Sequence, residues 1–343
     1  MSHLVVAAFY QFVKLNDHRQ LREPLLQCCM SHKLLGTLLL AEEGINGTVA
    51  GCREGIDALN SWLASDGRFD ALEYKESSID IEAIPFYRMK VKVKKEIVTL
   101  GLPGISPKMK VGRYVQPDQW NDLIADSATV TIDTRNDYEC EVGSFKGAIN
   151  PKIKTFRDFP EWVAKNLDPK KDKKIAMFCT GGIRCEKSTS YLLEQGFEDV
   201  YHLKGGVLNY FEQTHHADTV WEGECFVFDN RVTVNHKLEP GNFDQCHACR
   251  RPITEDAKRR GEFIEGVQCH LCVDEYSDAR KDRFRMRQHQ IELADGRDEK
   301  HVGVDAQLLK KRQQKAREDR SHFKTMQREL EMAKNKKLNI GEA

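Results

Sequence analysis

The sequence predicts a chain of several α/β and α+β units: a βαββαβ domain, then a parallel-sheet α/β domain, then a cysteine-knuckle region with a charged helical tail. Three observations carry this reading. Short apolar runs alternate with helical patterns as far as residue 217. Two Cys-x-x-Cys pairs follow, Cys246–Cys249 and Cys269–Cys272, with nineteen residues between them. From Asp278 onward charge dominates and proline is absent. At 343 residues the chain has length for two or three real cores. Its 53 basic and 53 acidic residues cancel, so any argument about partners rests on local charge. No run approaches the apolar length of a membrane span. The N-terminal stretch lacks a basic leader and reads as a first strand. Eleven cysteines in a long, charged chain without a secretion signal point to a reducing compartment, the cytoplasm.

In the first domain, expected over residues 1–111, Val5 to Phe12 reads as a strand and Asp17 to His32 as a helix capped by Asn16 or Asp17. Leu34–Leu40 and Gly44–Ala50 read as a strand pair, Gly55–Ala64 as a helix, and Ile79–Ile84 and Lys90–Val98 as strands. The βαββαβ order is that of a ferredoxin-like sandwich. Between the paired strands, Glu42 to Gly47 reads as a turn with Asn46-Gly47 supplying positive φ; the other reading is a loop for an anion or nucleotide. Arg88, Lys90, Lys92 and Lys94 fall on one face of the last strand. They either guard an edge strand or face phosphates.

The second domain is expected over residues 112–217, with helices at Pro117–Ala125 and Phe159–Asn166. Its centre is Cys179-Thr180-Gly181-Gly182-Ile183-Arg184, which follows the apolar run Ile175–Phe178 and precedes a helix expected from Cys185 to Gln195. A cysteine at the end of a parallel strand, a glycine-bearing loop and a helix start favour a thiolate, because loop N–H groups and the helix dipole converge on the sulfur. Gly181 and Gly182 let the loop curl, and Arg184 adds a fixed positive charge. Cys179 and Arg184 are the candidate catalytic residues, with Thr180, Gly181, Gly182 and Ile183 as the anion-cradling loop. Asp133 and Arg135 form an ion pair expected to support Cys179 from behind. Cys185 reads as helix packing or as a resolving thiol.

This loop resembles the active-site loop of rhodanese domains, in which a cysteine sulfur carries a persulfide. Val130–Arg135, Tyr138-Glu139, Gly143–Phe145 and Gly147–Asn150 upstream, and Val200–Val207 downstream, fit the same pattern over residues 113–217. Ala41–Thr48, Cys179–Lys187 and the paired Cys-x-x-Cys, in that order, together resemble the oxygen-dependent bacterial tRNA uridine hydroxylases of rhodanese type. The resemblance implies an oxidoreductase with O2 as co-substrate, forming 5-hydroxyuridine at the wobble position (U34) of tRNA. No flavin or nicotinamide fingerprint and no iron-ligand pattern stands out in the sequence. The alternatives are a persulfide sulfurtransferase and a non-enzymatic RNA-binding scaffold.

Residues 218–290 are expected to hold the knuckles. Cys246, Cys249, Cys269 and Cys272 at this spacing suit one structural zinc ion, against a pair of redox dithiols; His247 and His270 are spare ligands. In the tail, residues 291–343, Lys310, Lys311 and Arg312 begin a basic helical stretch. It reads either as a solvated helix or as a phosphate-binding arm for tRNA.

Overall fold

The computed structural model describes residues 3–80 and 85–296. The expected tail cations Lys310, Lys311 and Arg312 lie outside the described residues.

The first sheet is built from β1 (His3–Phe12), β2 (Leu35–Ala41), β3 (Gly44–Gly51), β4 (Glu73–Asp80) and β5 (Met89–Val93), in the order β4-β1-β3-β2-β5. Helices α1 (His18–Ser31) and α2 (Arg53–Ala64) complete the ferredoxin-like βαββαβ order. Side chains alternate across a strand, and the sheet uses both faces. Val5, Ala7 and Phe9 of β1 join Leu25 and Cys29 of α1 and Ile56, Leu59 and Leu63 of α2 in one core. The opposite parity of β1, Val6, Ala8 and Tyr10, faces a cavity described below.

Four local expectations change. Asp17 occupies the N-cap position of α1 but makes no capping bond; its carboxylate instead pairs with Arg68 at 2.5 Å. The tight-turn glycine is Gly44 (φ 147°), where a Cβ would lie 2.0 Å from the Gln11 carbonyl oxygen. Asn46 and Gly47 sit within β3, opposite Tyr10 and Phe9. The strand expected at Ile79–Ile84 runs over Glu73–Asp80 instead. It pairs with β1 as an edge and stacks Tyr74 on Phe9, and an edge tolerates its charged residues. β5 ends at Val93 because the chain then turns inward, burying Ile97, whose N–H donates to Glu43.

In the second domain, β6 (Arg113–Val115), β7 (Thr129–Asp133), β9 (Lys174–Phe178) and β10 (Asp199–Leu203) form a parallel sheet, order β6-β10-β9-β7. Around it lie α3 (Pro117–Ala125), α4 (Asp137–Cys140), α5 (Phe159–Asn166), α6 (Ile183–Glu194) and α7 (Gly206–Gln213). Helix α6 begins two residues earlier than expected because Gly182, at φ 97°, supplies the cap. The short β8 (Gly143–Phe145) pairs with β11 (Trp221–Gly223). Trp221 meets Phe145, Phe178 and Phe211 edge-on. With the hairpin β12 (Cys225–Phe226) and β13 (Thr233–Val234), the stretch after residue 217 packs into the core of the second domain. The knuckle region follows, with β14 (Asp244–Gln245), β15 (Pro252–Ile253), the short α8 (Glu255–Lys258) and then α9 (Asp278–Asp295). Among the described residues no helix is long and apolar enough to cross a membrane.

Candidate active site

Strand β9 is buried over Ile175–Phe178 and delivers Cys179 to the carboxyl edge of the parallel sheet, where α/β folds gather functional groups. The loop from Cys179 is then fixed from below. Val207 N–H donates to the Cys179 carbonyl at 2.9 Å and Leu208 N–H to the Thr180 carbonyl at 3.1 Å. This close approach requires Gly206, since a Cβ there would lie 2.4 Å from the Cys179 oxygen. The Gly-Gly turn and the cysteine loop, read separately in the sequence, are one construction.

The Cys179 sulfur accepts a hydrogen bond from Gly182 N–H at 3.1 Å. Burial alone would raise its pKa. The Cys185 thiol, the Arg184 charge and the N–H groups of Cys185 and Gly182 outweigh burial and bring it down to about 6. Cys185 moves the other way, pushed up by burial and by the sulfur it donates to, so it stays a thiol. Its sulfur lies 3.6 Å from Thr134 Oγ1. The sign is direct: above about pH 6 the Cys179 thiolate dominates, and below it the thiol does. The ultraviolet thiolate absorbance of wild type minus that of Cys179→Ala should therefore rise with a midpoint near pH 6; a midpoint near 9 would contradict this geometry.

Arg184 is held by Glu139 in a two-pronged pair, Nη1–Oε2 2.7 Å and Nη2–Oε1 2.8 Å, with Glu139 fully buried. Asp133 and Arg135 form an equally buried pair at 2.6 Å. Arg135 also donates to the Gly143 carbonyl and lies over the Trp221 ring, so this pair ties the β7 end to β8 and β11.

Cys179, Thr180, Gly181, Ile183 and Arg184 all line one cavity of about 460 Å³, together with the outer face of the first sheet. Asp133, Arg135 and the β5 cations are not among its lining residues. Tyr10 crosses from β1 to donate to Glu186 at 2.8 Å, and a Cβ on Gly182 would lie 2.9 Å from the Tyr10 oxygen. Burial raises the Glu186 carboxyl to about 7 against the hydrogen bonds of Tyr10 and Tyr114. One residue on, the buried Lys187 ammonium binds Glu43 at 2.8 Å, Glu96 at 2.5 Å and the Val98 carbonyl at 3.1 Å. These contacts lock the first sheet over the cysteine loop. The sequence reading missed Tyr10, Glu43, Glu96, Glu139 and Glu186 as site residues. The legible signal for Glu186 and Lys187 was a pair of adjacent charged residues near the start of a helix that must be buried.

The four knuckle sulfurs lie within 4.8 Å of one another, at 3.9 Å for Cys249–Cys269 and 3.7 Å for Cys269–Cys272. A tetrahedral thiolate site with bonds of about 2.3 Å needs separations of roughly 3.8 Å. The donor set is compatible with zinc and includes neither His247 nor His270. Arg251 Nε donates to Cys249 Sγ at 3.4 Å.

A model of the UPF0176 acylphosphatase-like domain matches residues 4–97, and one of the rhodanese-like domain matches residues 116–213. The chain has the UPF0176 domain architecture. Similar solved structures each cover about a third of the chain or less. A rhodanese-like domain of an Anabaena protein is 19% identical, over 32% of this chain and 78% of its own, with a TM-score of 0.27. A rhodanese-like domain protein from Staphylococcus aureus is 21% identical over 29% and 90%, TM-score 0.25. An acylphosphatase from Coxiella burnetii is 15% identical over 26% and 94%, TM-score 0.22. In this UPF0176-type chain Cys179 lies in the rhodanese-like domain, and the acylphosphatase-like sheet forms the facing wall of its cavity.

Proposed function

We propose that the protein hydroxylates the wobble uridine of tRNA to 5-hydroxyuridine, with Cys179 as the nucleophile and O2 as the oxygen source. One observation carries the reading: a cysteine whose pKa is drawn down to about 6 lines a roofed cavity of about 460 Å³, within the size range of small-molecule sites. The Cys179 thiolate adds to C6 of the uracil, pushing electron density onto C5, which then takes oxygen. Removal of the C5 proton breaks the C6–S bond, restores the C5–C6 double bond and frees the thiolate. The loop N–H groups and Arg184 keep the sulfur anionic until it attacks. Insertion of one oxygen atom from O2 reduces the other to water, so the reaction draws two electrons from a separate donor.

Local charge supports an RNA partner. Burial, then the charges of Arg88, Lys92 and Arg250, lowers the Lys90 ammonium, which places cations of β5 and of the first knuckle in one like-charged cluster. Such clusters suit a polyanion. The knuckle cysteines hold one structural zinc in this reading.

Nucleoside mass spectrometry of bulk tRNA tests the function. Cells without the gene should lose 5-hydroxyuridine and its derivatives, and wild type should restore them with an oxygen atom from labelled O2. An unchanged profile would favour the sulfurtransferase reading, for which the Gly182 N–H aimed at the sulfur is equally suited; thiosulfate-to-cyanide transfer would then be the assay.

A further inference from the structure

Phe228 is a large apolar side chain left 61% exposed, yet it sits on a turn tied by several hydrogen bonds and an ion pair. Val227 N–H donates to the Val232 carbonyl at 2.9 Å, and Asn230 N–H to the Pro85 carbonyl at 3.0 Å. Asp229 and Arg231 form a buried ion pair, and Arg231 Nη1 reaches across to Ser77 Oγ on β4 at 3.0 Å. Phe226 backs the ring edge-on at 5.2 Å, and its carbonyl accepts from Thr180 Oγ1 at 3.4 Å, inside the cysteine loop. The Arg184 guanidinium lies 5.7 Å from the Phe228 ring centroid.

Phe228 lines the same cavity as Cys179. An apolar ring kept in water by a rigid turn serves a ligand that covers it, and a planar ring is what an aromatic face binds by stacking. On the facing wall, Thr37 and Thr48 stand opposite each other on β2 and β3 and bring two hydroxyls to the cavity, the groups that read a base edge.

We propose that Phe228 is the stacking platform for the target base, a pyrimidine extruded from a single-stranded RNA loop and laid over the Cys179 loop. The inference rests on the hydroxylase reading for the identity of the base. Single-stranded loops supply such bases, because unstacking them is cheap. Phe228 is a positioning residue: it sets where the uracil lies and takes no part in bond making.

The test is binding of the full chain to an anticodon stem-loop RNA with uridine at the wobble position, against the same RNA abasic there. Wild type should prefer the uridine RNA by roughly 10-fold to 100-fold. Phe228→Ala should lose that preference while keeping its affinity for the abasic RNA, and Phe228→Trp should retain it. The ultraviolet thiolate midpoint of Cys179 in Phe228→Ala should match wild type, showing an intact loop. Equal affinities for the two RNAs, or an alanine variant that keeps the preference, would overturn the platform. Hydroxylation in cells separates the two ideas. Wild type that restores 5-hydroxyuridine while binding both RNAs equally leaves the function standing and removes the platform. Wild type that restores none removes the function, and a base preference that depends on Phe228 would then stand on binding alone.

Discussion

Cys269→Ala should reduce the zinc content of the purified chain from about one ion per molecule to near none and unfold residues 246–276. The local core there is small: Cys246, Ile253, Ala257, Cys269 and Cys272, flanked by partly buried groups such as Phe263 and Tyr276. Three of its five buried members are the proposed ligands, so without metal little apolar area remains to offset chain entropy. In zinc-finger peptides the ion supplies on the order of 10–16 kcal/mol, far more than this core could. Metal analysis with limited proteolysis checks the outcome. The variant should be cut within 246–276 while residues 3–80 and 85–234, whose cores are independent of the knuckles, resist. A metal-free wild-type preparation that resists cleavage equally would contradict the assignment.

Lys187→Met should destabilise the chain by about 3–5 kcal/mol, read as a lowered denaturant midpoint. Lys187 is 1% exposed, and its ammonium is the shared partner of Glu43 and Glu96, whose side chains are only 24% and 17% exposed. Removing it leaves two carboxylates facing each other in a poorly hydrated seam, with the Val98 carbonyl also unpaired. Glu43→Gln or Glu96→Gln should cost much less, because Lys187 keeps one charged partner in each. A midpoint unchanged in Lys187→Met would show that the first sheet is held over the cysteine loop by other contacts.

Much of this molecule was legible from local pattern. The two helices of the first domain and the strands β1 to β3 follow from apolar periodicity, and the strand–loop–helix around Cys179 follows from a buried run meeting a glycine-bearing loop. Contacts between distant segments were not legible. Tyr10 meets Glu186 across 176 residues of sequence, and Lys187 meets Glu43 across 144; neither pairing leaves a local signature. The Glu42 to Gly47 segment shows the cost of reading locally. Asn46-Gly47 has the composition of a tight turn, but the strand register places it inside β3, where Gly47 is needed because a Cβ would lie 2.3 Å from the Thr37 carbonyl. Strand β4 was misplaced for a related reason: an edge strand carries polar residues that mask its period. Phe228 carried no signal at all, since its meaning comes from the turn that holds it and the cavity it faces.

The most direct measurement of the central claim is the 5-hydroxyuridine content of bulk tRNA from cells lacking this gene and complemented with Cys179→Ala. Loss should be as complete as in the uncomplemented strain, at equal protein level and with zinc retained. Restoration to the wild-type level by the alanine variant would contradict it, because no other described group in the cavity combines a depressed pKa with the polarisable sulfur that addition to the uracil requires.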